Sequence, residues 1–411
     1  MSNKIILAIC YAANPYKDLE DGMGWNFILQ IAHYQKVIAI TRENNKAAIE
    51  KYLVENTNPA FDNITFLYFD LPYWMRFWKK GEQGNLLYYY MWQRGLVSFI
   101  KKQTICYDIV HYVNFHNGWM PSFLWKLNKP MVWGPVAHQP RIPKQYLKLY
   151  SKKQQMINEL NWLVKKIVIK HSPSMKKTIE KTAHIWCMNP SAPAIMGLKE
   201  NKFSIHPSIV SDDFYIEKIK KTNQFRVLSV GRFVAINGFD LTLHSFIGFV
   251  KSLPIAEQKL CKLTLVGSGP EKELYQKIIQ ENQVENLVEI IDLIDRQSLI
   301  EQYQEATVFL FPSHEGTGMV VAEALSFGLP IICLDNEGFG HYIDESLGII
   351  VPKQSYSDTV IDLKQAILKL YKIPHLTNIM SDRARKHYEN KFSWKSRGSY
   401  LQNMYNEIPL Q

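Results

Sequence analysis

Short apolar runs separated by helical patterns recur along almost the whole chain, and that alternation leaves few folds open. Residues 5–10 form an unbroken apolar run of strand length, as a strand buried on both faces requires. A polar, glycine-containing loop follows, then a helical pattern through residues 25–33 and a second apolar run at 37–41. Further runs stand at 64–69, 109–113, 130–133 and 183–188, the last reading as the final strand of the first half. The stretch 189–223 breaks the pattern with Pro190, Pro193, Pro207 and the lysines Lys218, Lys220 and Lys221. The cycle then restarts, with apolar runs at 226–230, 263–266, 288–291, 308–311 and 331–334. Helical patterns lie between them, and a helical tail follows at 359–370, 378–390 and 394–406. Strands that alternate with helices pair in parallel under right-handed crossovers, so the expected class is α/β with doubly wound sheets. A chain of 411 residues exceeds one ordinary core. Two doubly wound α/β domains are therefore expected, 1–195 and 196–390, with 391–411 as a terminal helix. Strand order is not legible at this level.

Composition narrows the partners. Hydrophobic residues make up 46% and charged residues 21%, a globular balance. The formal net charge is +10, which favours anionic partners such as nucleotide diphosphates or lipid phosphates. Nucleic acid is not expected, because no zinc-finger, basic-helix or RNP signature is present. Cys10, Cys106, Cys187, Cys261 and Cys333 are far apart and form no metal-type spacing, so reduced thiols and no metal site are expected. Lys4 precedes only a short apolar run, and no apolar stretch reaches the ~18 residues of a membrane span. A cytoplasmic location is expected. Residues 71–80 mix aromatic and basic side chains (Leu-Pro-Tyr-Trp-Met-Arg-Phe-Trp-Lys-Lys), which suits peripheral contact with the inner membrane surface.

The densest chemistry lies in residues 311–330. An apolar run ends at Phe311, then Pro-Ser-His-Glu315-Gly316-Thr317-Gly318 opens a helix beginning Met319-Val320 and carrying Glu323. In α/β sheets ligands bind beyond the carboxyl ends of the strands. Gly316 and Gly318 let backbone approach a ligand, and the first amides of the helix are unpaired donors suited to an anion. A diphosphate is the natural guest. Glu323 lies more than a turn inside the helix, where a carboxylate can accept both hydroxyls of a ribose.

This segment resembles the Glu-x7-Glu signature of glycosyltransferase family 4. Val230-Gly231-Arg232 with Gly238-Phe-Asp240 resembles that family's Gly-Arg-Leu…Lys-Gly-x-Asp segment. Leu265-Val-Gly267-Ser-Gly269-Pro270-Glu271 resembles its Gly-x-Gly-Pro-Glu turn. The resemblance runs over residues 225–352. It implies a GT-B fold, with two Rossmann-like domains facing across a cleft, and transfer from a UDP- or GDP-sugar with retention at the anomeric carbon. No obligate metal is implied. By the same resemblance Arg232 would bind the donor diphosphate, Glu315 would hold the donor sugar near the reacting carbon, and Glu323 would bind the ribose. Gly231, Gly267, Gly316, Thr317, Gly318, Met319 and Val320 would line the donor. Asn237 stands where the family usually has a lysine, so one cation of the donor site is replaced by an amide. The Gly338-Phe-Gly340 loop resembles the family's next glycine pair.

The first half resembles the family less sharply. Asp21-Gly-Met-Gly24-Trp25 follows the first strand, where Gly24 would permit close approach of the donor and Trp25 would face the acceptor. His116 in Asn114-Phe-His-Asn-Gly118 would orient the donor sugar, and His138 in Gly134-Pro-Val-Ala-His138 would contact the acceptor. The helix from Trp394 resembles the family's last helix, which packs back on the first domain. The acceptor implied is a saccharide or lipid-linked saccharide in surface-polysaccharide assembly. Two alternatives stay open: a nucleotide-sugar epimerase on the same fold, and a catalytically degenerate partner subunit.

Overall fold

Each apolar run becomes a strand of a parallel sheet, because only a strand covered on both faces gains from being apolar at every position. The structure, a computed structural model, describes residues 4–17, 19–79, 84–114, 118–139, 141–213, 224–292, 294–315, 318–336 and 338–409. It divides into two units. The first comprises Met1–His138, Leu163–Ser208 and Trp394–Gln411, and the second Gln139–Trp162 and Ile209–Ser393.

The first unit holds a seven-stranded sheet: β1 (Ile5–Ile9), β2 (Lys36–Thr41), β3 (Ile64–Tyr68), β4 (Ile109–Tyr112), β5 (Met131–Val136), β6 (His184–Cys187) and β7 (Phe203–Ile205). The order is β3-β2-β1-β4-β5-β6-β7, and the pairs are parallel. The expectation that 183–188 ends this half is corrected by β7, which pairs with β6. Its three residues are only half-buried, so no apolar run announces them. Leu7, Ile9, Ile40, Val110 and Met131 pack against Trp92 and Leu96 of the helix Asn85–Lys102. The helix Trp394–Glu407 belongs to this unit. Lys4 Nζ donates to the Tyr405 and Ile408 carbonyls at 2.6 and 2.8 Å, placing a cation on the carbonyl end of that helix. Arg397 is fully buried, 5.1 Å from the centre of the Trp186 ring.

The second unit holds β8 (Phe225–Val230), β9 (Cys261–Val266), β10 (Val288–Ile291), β11 (Val308–Phe311), β12 (Ile331–Leu334) and β13 (Gly348–Val351), in the order β10-β9-β8-β11-β12-β13. Val227, Leu263, Leu265, Val308, Leu310 and Ile332 meet Phe246 and Phe249 of the helix Phe239–Lys251 and Leu363 and Ile367 of the helix Tyr356–Lys372. A strap from far upstream joins this core, with Ile142, Tyr146, Leu147 and Tyr150 all buried in it. Burying such side chains contributes ~1.5–3 kcal/mol each. Tyr150 Oη also donates to buried Asp240 at 2.6 Å. No helix among the described residues is long and apolar enough to cross a membrane.

Both sheets reverse direction of winding at their centre, between β1 and β4 and between β8 and β11. Such a switch point diverges the loops on either side and leaves a crevice at the carboxyl edge.

Candidate active site

In the second unit the loops after β8 and β11 leave the sheet from neighbouring strands, paired through Val227 with Val308 and Leu228 with Phe309. They are tied together closely. Gly238 has φ +67°, and a Cβ there would stand 2.3 Å from the Pro312 carbonyl oxygen, so only glycine serves. Ser313 Oγ donates to the Ile236 carbonyl at 3.1 Å, and the His314 amide donates to the same oxygen at 2.7 Å. Asn336, in the loop after β12, locks the third side. Its Nδ2 donates to the Ser313 carbonyl at 2.6 Å, and its Oδ1 accepts from the Gly338 and Gly340 amides at 2.9 and 3.0 Å. The Gly338-Phe-Gly340 loop is thus a donor pair for Asn336.

On this frame Arg232 is exposed, and its carbonyl accepts from Asn237 Nδ2 at 2.9 Å. Asn237 is buried and also lies 3.4 Å from Ser313 Oγ. An amide here braces the arginine loop, a task that a lysine ammonium, lacking an acceptor, would not perform in full. The Glu315 amide donates to Ser313 Oγ at 3.0 Å. Burial pushes the Glu315 carboxyl up to about 7, and the Arg232 charge pulls it partly back. The two residues expected to share a donor therefore feel one another. His314 is buried, its imidazole is held down at about 3 by burial and by Lys353, and its ring lies 4.7 Å from the Tyr146 ring of the strap.

Gly318 caps the helix Met319–Ser326 in extended conformation, with Met319 and Val320 half-buried beside it. Gly316 and Thr317 lie outside the described residues. Glu323 is buried inside this helix with both oxygens engaged: Oε1 pairs with Arg296 Nη1 at 2.7 Å and Oε2 accepts from Tyr303 Oη at 2.9 Å. Each oxygen keeps a second acceptor site. Arg296 and Tyr303 escaped sequence reasoning because they sit on another helix, Arg296–Glu305, with no motif around them. Gly267, after β9, closes the frame, since a Cβ on it would stand 1.9 Å from the Gly231 carbonyl oxygen. Among the described residues no group of three or more His, Cys, Asp or Glu is arranged to hold a metal.

The first unit treats its expected residues differently. Gly24 lies in the helix Leu19–Ala32, where a Cβ would meet the Ala12 carbonyl oxygen at 2.0 Å and Cys10 Sγ at 2.6 Å. That glycine brings helix and strand end together, instead of opening space for a ligand. Trp25 is buried among Tyr52, Phe61 and Phe66, so its ring is committed to packing. The His138 backbone is clamped by Asn189, whose Nδ2 donates to its carbonyl at 2.8 Å, and the side chain is buried. His116 lies outside the described residues. Tyr73, Trp74 and Phe77 of the 71–80 segment are exposed at 75%, 69% and 61%, a surface that ordinary core packing does not leave.

Comparison with known proteins bears on the fold and on the family that the second unit resembles. Residues 211–387 match the family described as Glycosyl transferases group 1. An uncharacterized glycosyltransferase of Haemophilus influenzae is 27% identical over 170 residues, 41% of this chain and 45% of that protein. The capsular polysaccharide biosynthesis glycosyltransferase CapM of Staphylococcus aureus is 27% identical over 214 residues, 51% of this chain and 52% of that protein. The chain spans about half the length of these curated relatives. Anabaena Alr3699/HepE, solved in complex with UDP, superposes with a TM-score of 0.61 at 13% identity, covering 98% of this chain and all of that one. WaaG, a glycosyltransferase involved in lipopolysaccharide biosynthesis, gives 0.60 at 15% identity over 98% of this chain and all of that one. At such identities the likeness establishes the fold, which is GT-B. Residues 211–387, the greater part of the second Rossmann-like unit, are thus the part of this chain that matches the glycosyl transferases of group 1.

Proposed function

We propose that the chain is a retaining glycosyltransferase that moves a sugar from a UDP- or GDP-sugar to a saccharide or lipid-linked saccharide in surface-polysaccharide assembly. One observation carries the reading. Arg232 and Glu315 stand on loops of two neighbouring central strands, bound together through Ser313, Asn237 and Asn336, with the Arg232 charge acting on a carboxyl that burial has made weakly acidic. A guanidinium fork and fixed amides suit the diphosphate of a leaving nucleotide. Glu315, close to half-protonated near neutral pH, can accept from or donate to a sugar hydroxyl. Glu323, oriented by Arg296 and Tyr303, would take the ribose diol.

In the proposed step the anomeric carbon loses its bond to the phosphate oxygen and gains one to the acceptor oxygen on the same face. The acceptor proton passes to the departing phosphate oxygen. Arg232 and the amides at the start of the helix Met319–Ser326 gather the charge, and Glu315 holds the sugar in place. The exposed Tyr73, Trp74 and Phe77 would rest on the inner face of the cytoplasmic membrane, where a lipid-linked acceptor is found. A panel of UDP- and GDP-sugars, read by release of free nucleotide and by intact-acceptor mass spectrometry, tests this. Arg232→Ala and Glu315→Ala should each reduce transfer at least a thousandfold with the fold intact, and wild-type rates in either variant overturn the assignment.

A further inference from the structure

The first unit carries a charge cluster that the transferase reading leaves unused. At the carboxyl edge of its sheet, residues that follow three neighbouring strands converge: Tyr11 after β1, Arg42 after β2 and Asp70 after β3. Arg42 Nε donates to the Tyr11 carbonyl at 2.9 Å, and its guanidinium carbon lies 4.2 Å from the centre of the Tyr11 ring. The Asp70 side chain is only 5% exposed, accepts from the Tyr88 hydroxyl, and stands 3.4 Å from Arg76 Nη1. Lys79 Nζ lies 4.9 Å from the centre of the same Tyr88 ring. Arg42, Asp70 and Arg76 all act electrostatically on Lys79, so the four ionisable groups form one system.

Arg42, Arg76 and Lys79 set against Asp70 leave a surplus of two positive charges on half-buried side chains. Partial burial and the two guanidiniums hold the Lys79 ammonium below the ordinary lysine range. Charge of one sign gathered away from water costs free energy until an anion neutralises it, and such arrangements concentrate at binding sites. The donors suit a tetrahedral oxyanion. Arg76 Nε is a buried N–H with no hydrogen-bond partner among the described residues. Two guanidinium forks and one ammonium together match the several acceptor oxygens of a phosphate. The exposed rings of Tyr73, Trp74 and Phe77 belong to the same segment as Arg76 and Lys79.

We propose that Arg42, Arg76 and Lys79 form a binding site for a phosphate group carried by a ligand of the first unit, separate from the donor loops of the second. Within the transferase reading, on which only this role rests, the ligand is the acceptor, a phosphate- or pyrophosphate-bearing saccharide.

The test titrates inorganic pyrophosphate by calorimetry at fixed ionic strength into the full chain carrying Arg232→Ala, which disables the donor site of the second unit. One binding event should survive in that background. Adding Arg76→Gln or Lys79→Gln should weaken it at least tenfold, while Lys79→Arg, which keeps the charge, should retain it. Both side chains are partly exposed, and unchanged circular dichroism and melting temperature exclude unfolding as the cause. Co-sedimentation with phosphatidylglycerol vesicles, against phosphatidylcholine vesicles, then separates the sources. Vesicle binding lost in step with pyrophosphate binding supports the site with a lipid headgroup as its phosphate. Pyrophosphate binding lost with vesicle binding unaltered supports it with a soluble phosphate. Pyrophosphate binding unchanged by both Arg76→Gln and Lys79→Gln overturns the proposal. A failure of the transferase reading is seen separately, as normal sugar transfer by Arg232→Ala.

Discussion

Replacing Glu315 with Gln isolates the electrostatic cost of placing a carboxyl in this site. Burial raises that carboxyl from 4.5 to about 7 in the folded protein. Between these two values the folded state holds a proton that the unfolded chain has released, so stability falls as pH rises through the window and the loss is complete above about 7. At ~1.4 kcal/mol per pH unit, a rise from 4.5 to about 7 corresponds to roughly 3–4 kcal/mol. Glutamine keeps the shape and cannot ionise. Glu315→Gln should therefore be within about 1 kcal/mol of wild type in stability near pH 5 and more stable by roughly 3–4 kcal/mol at pH 8. Urea denaturation of both proteins at the two pH values measures this, because every other titrating group is shared and cancels. Arg232→Ala removes the cation that lowers the carboxyl, so the window should widen upward in that variant. A stability difference between Glu315→Gln and wild type that is the same at pH 5 and pH 8 would refute the reasoning.

Two further predictions probe the frame. Asn336→Ala removes the acceptor of two backbone amides and the donor to the Ser313 carbonyl, all buried. Urea unfolding should show a loss of about 3 kcal/mol, and nucleotide release should fall as the β11 loop loosens. Gly267→Ala forces a methyl to 1.9 Å from the Gly231 carbonyl at a φ of +147°. The Gly231–Arg232 turn must then shift, and UDP or GDP affinity should drop at least tenfold by calorimetry even where melting shows a folded protein.

Parallel strands were legible because burial on both faces leaves an uninterrupted apolar signature, and every expected strand in the two sheets is present. β7 was not, because its edge position leaves Phe203, Ser204 and Ile205 only half-buried. Glu315 and Glu323 were legible as a spaced pair on a strand-to-helix turn. What holds them was not: Asn336 arrives from the loop after β12, Arg296 and Tyr303 from another helix, and Tyr146 from a strap nearly 170 residues upstream of His314. Gly24 and Trp25 show the converse. Both carry residue types that suit a ligand, yet Gly24 is consumed by contact with Ala12 and Cys10, and Trp25 by contact with Tyr52, Phe61 and Phe66.

The sequence by itself determined the α/β class, the two-sheet organisation and the position of the glycine-flanked carboxylates, because hydrophobic periodicity and turn chemistry act over a few residues and leave a local record. Only the tertiary structure decided the strand order, the second-unit membership of Gln139–Trp162, the bracing role of Asn237 and the meeting of Arg42, Asp70, Arg76 and Lys79. Those features depend on which distant segments share a sheet edge. Long-range proximity is fixed by packing of the whole core, and no short stretch of chain encodes it.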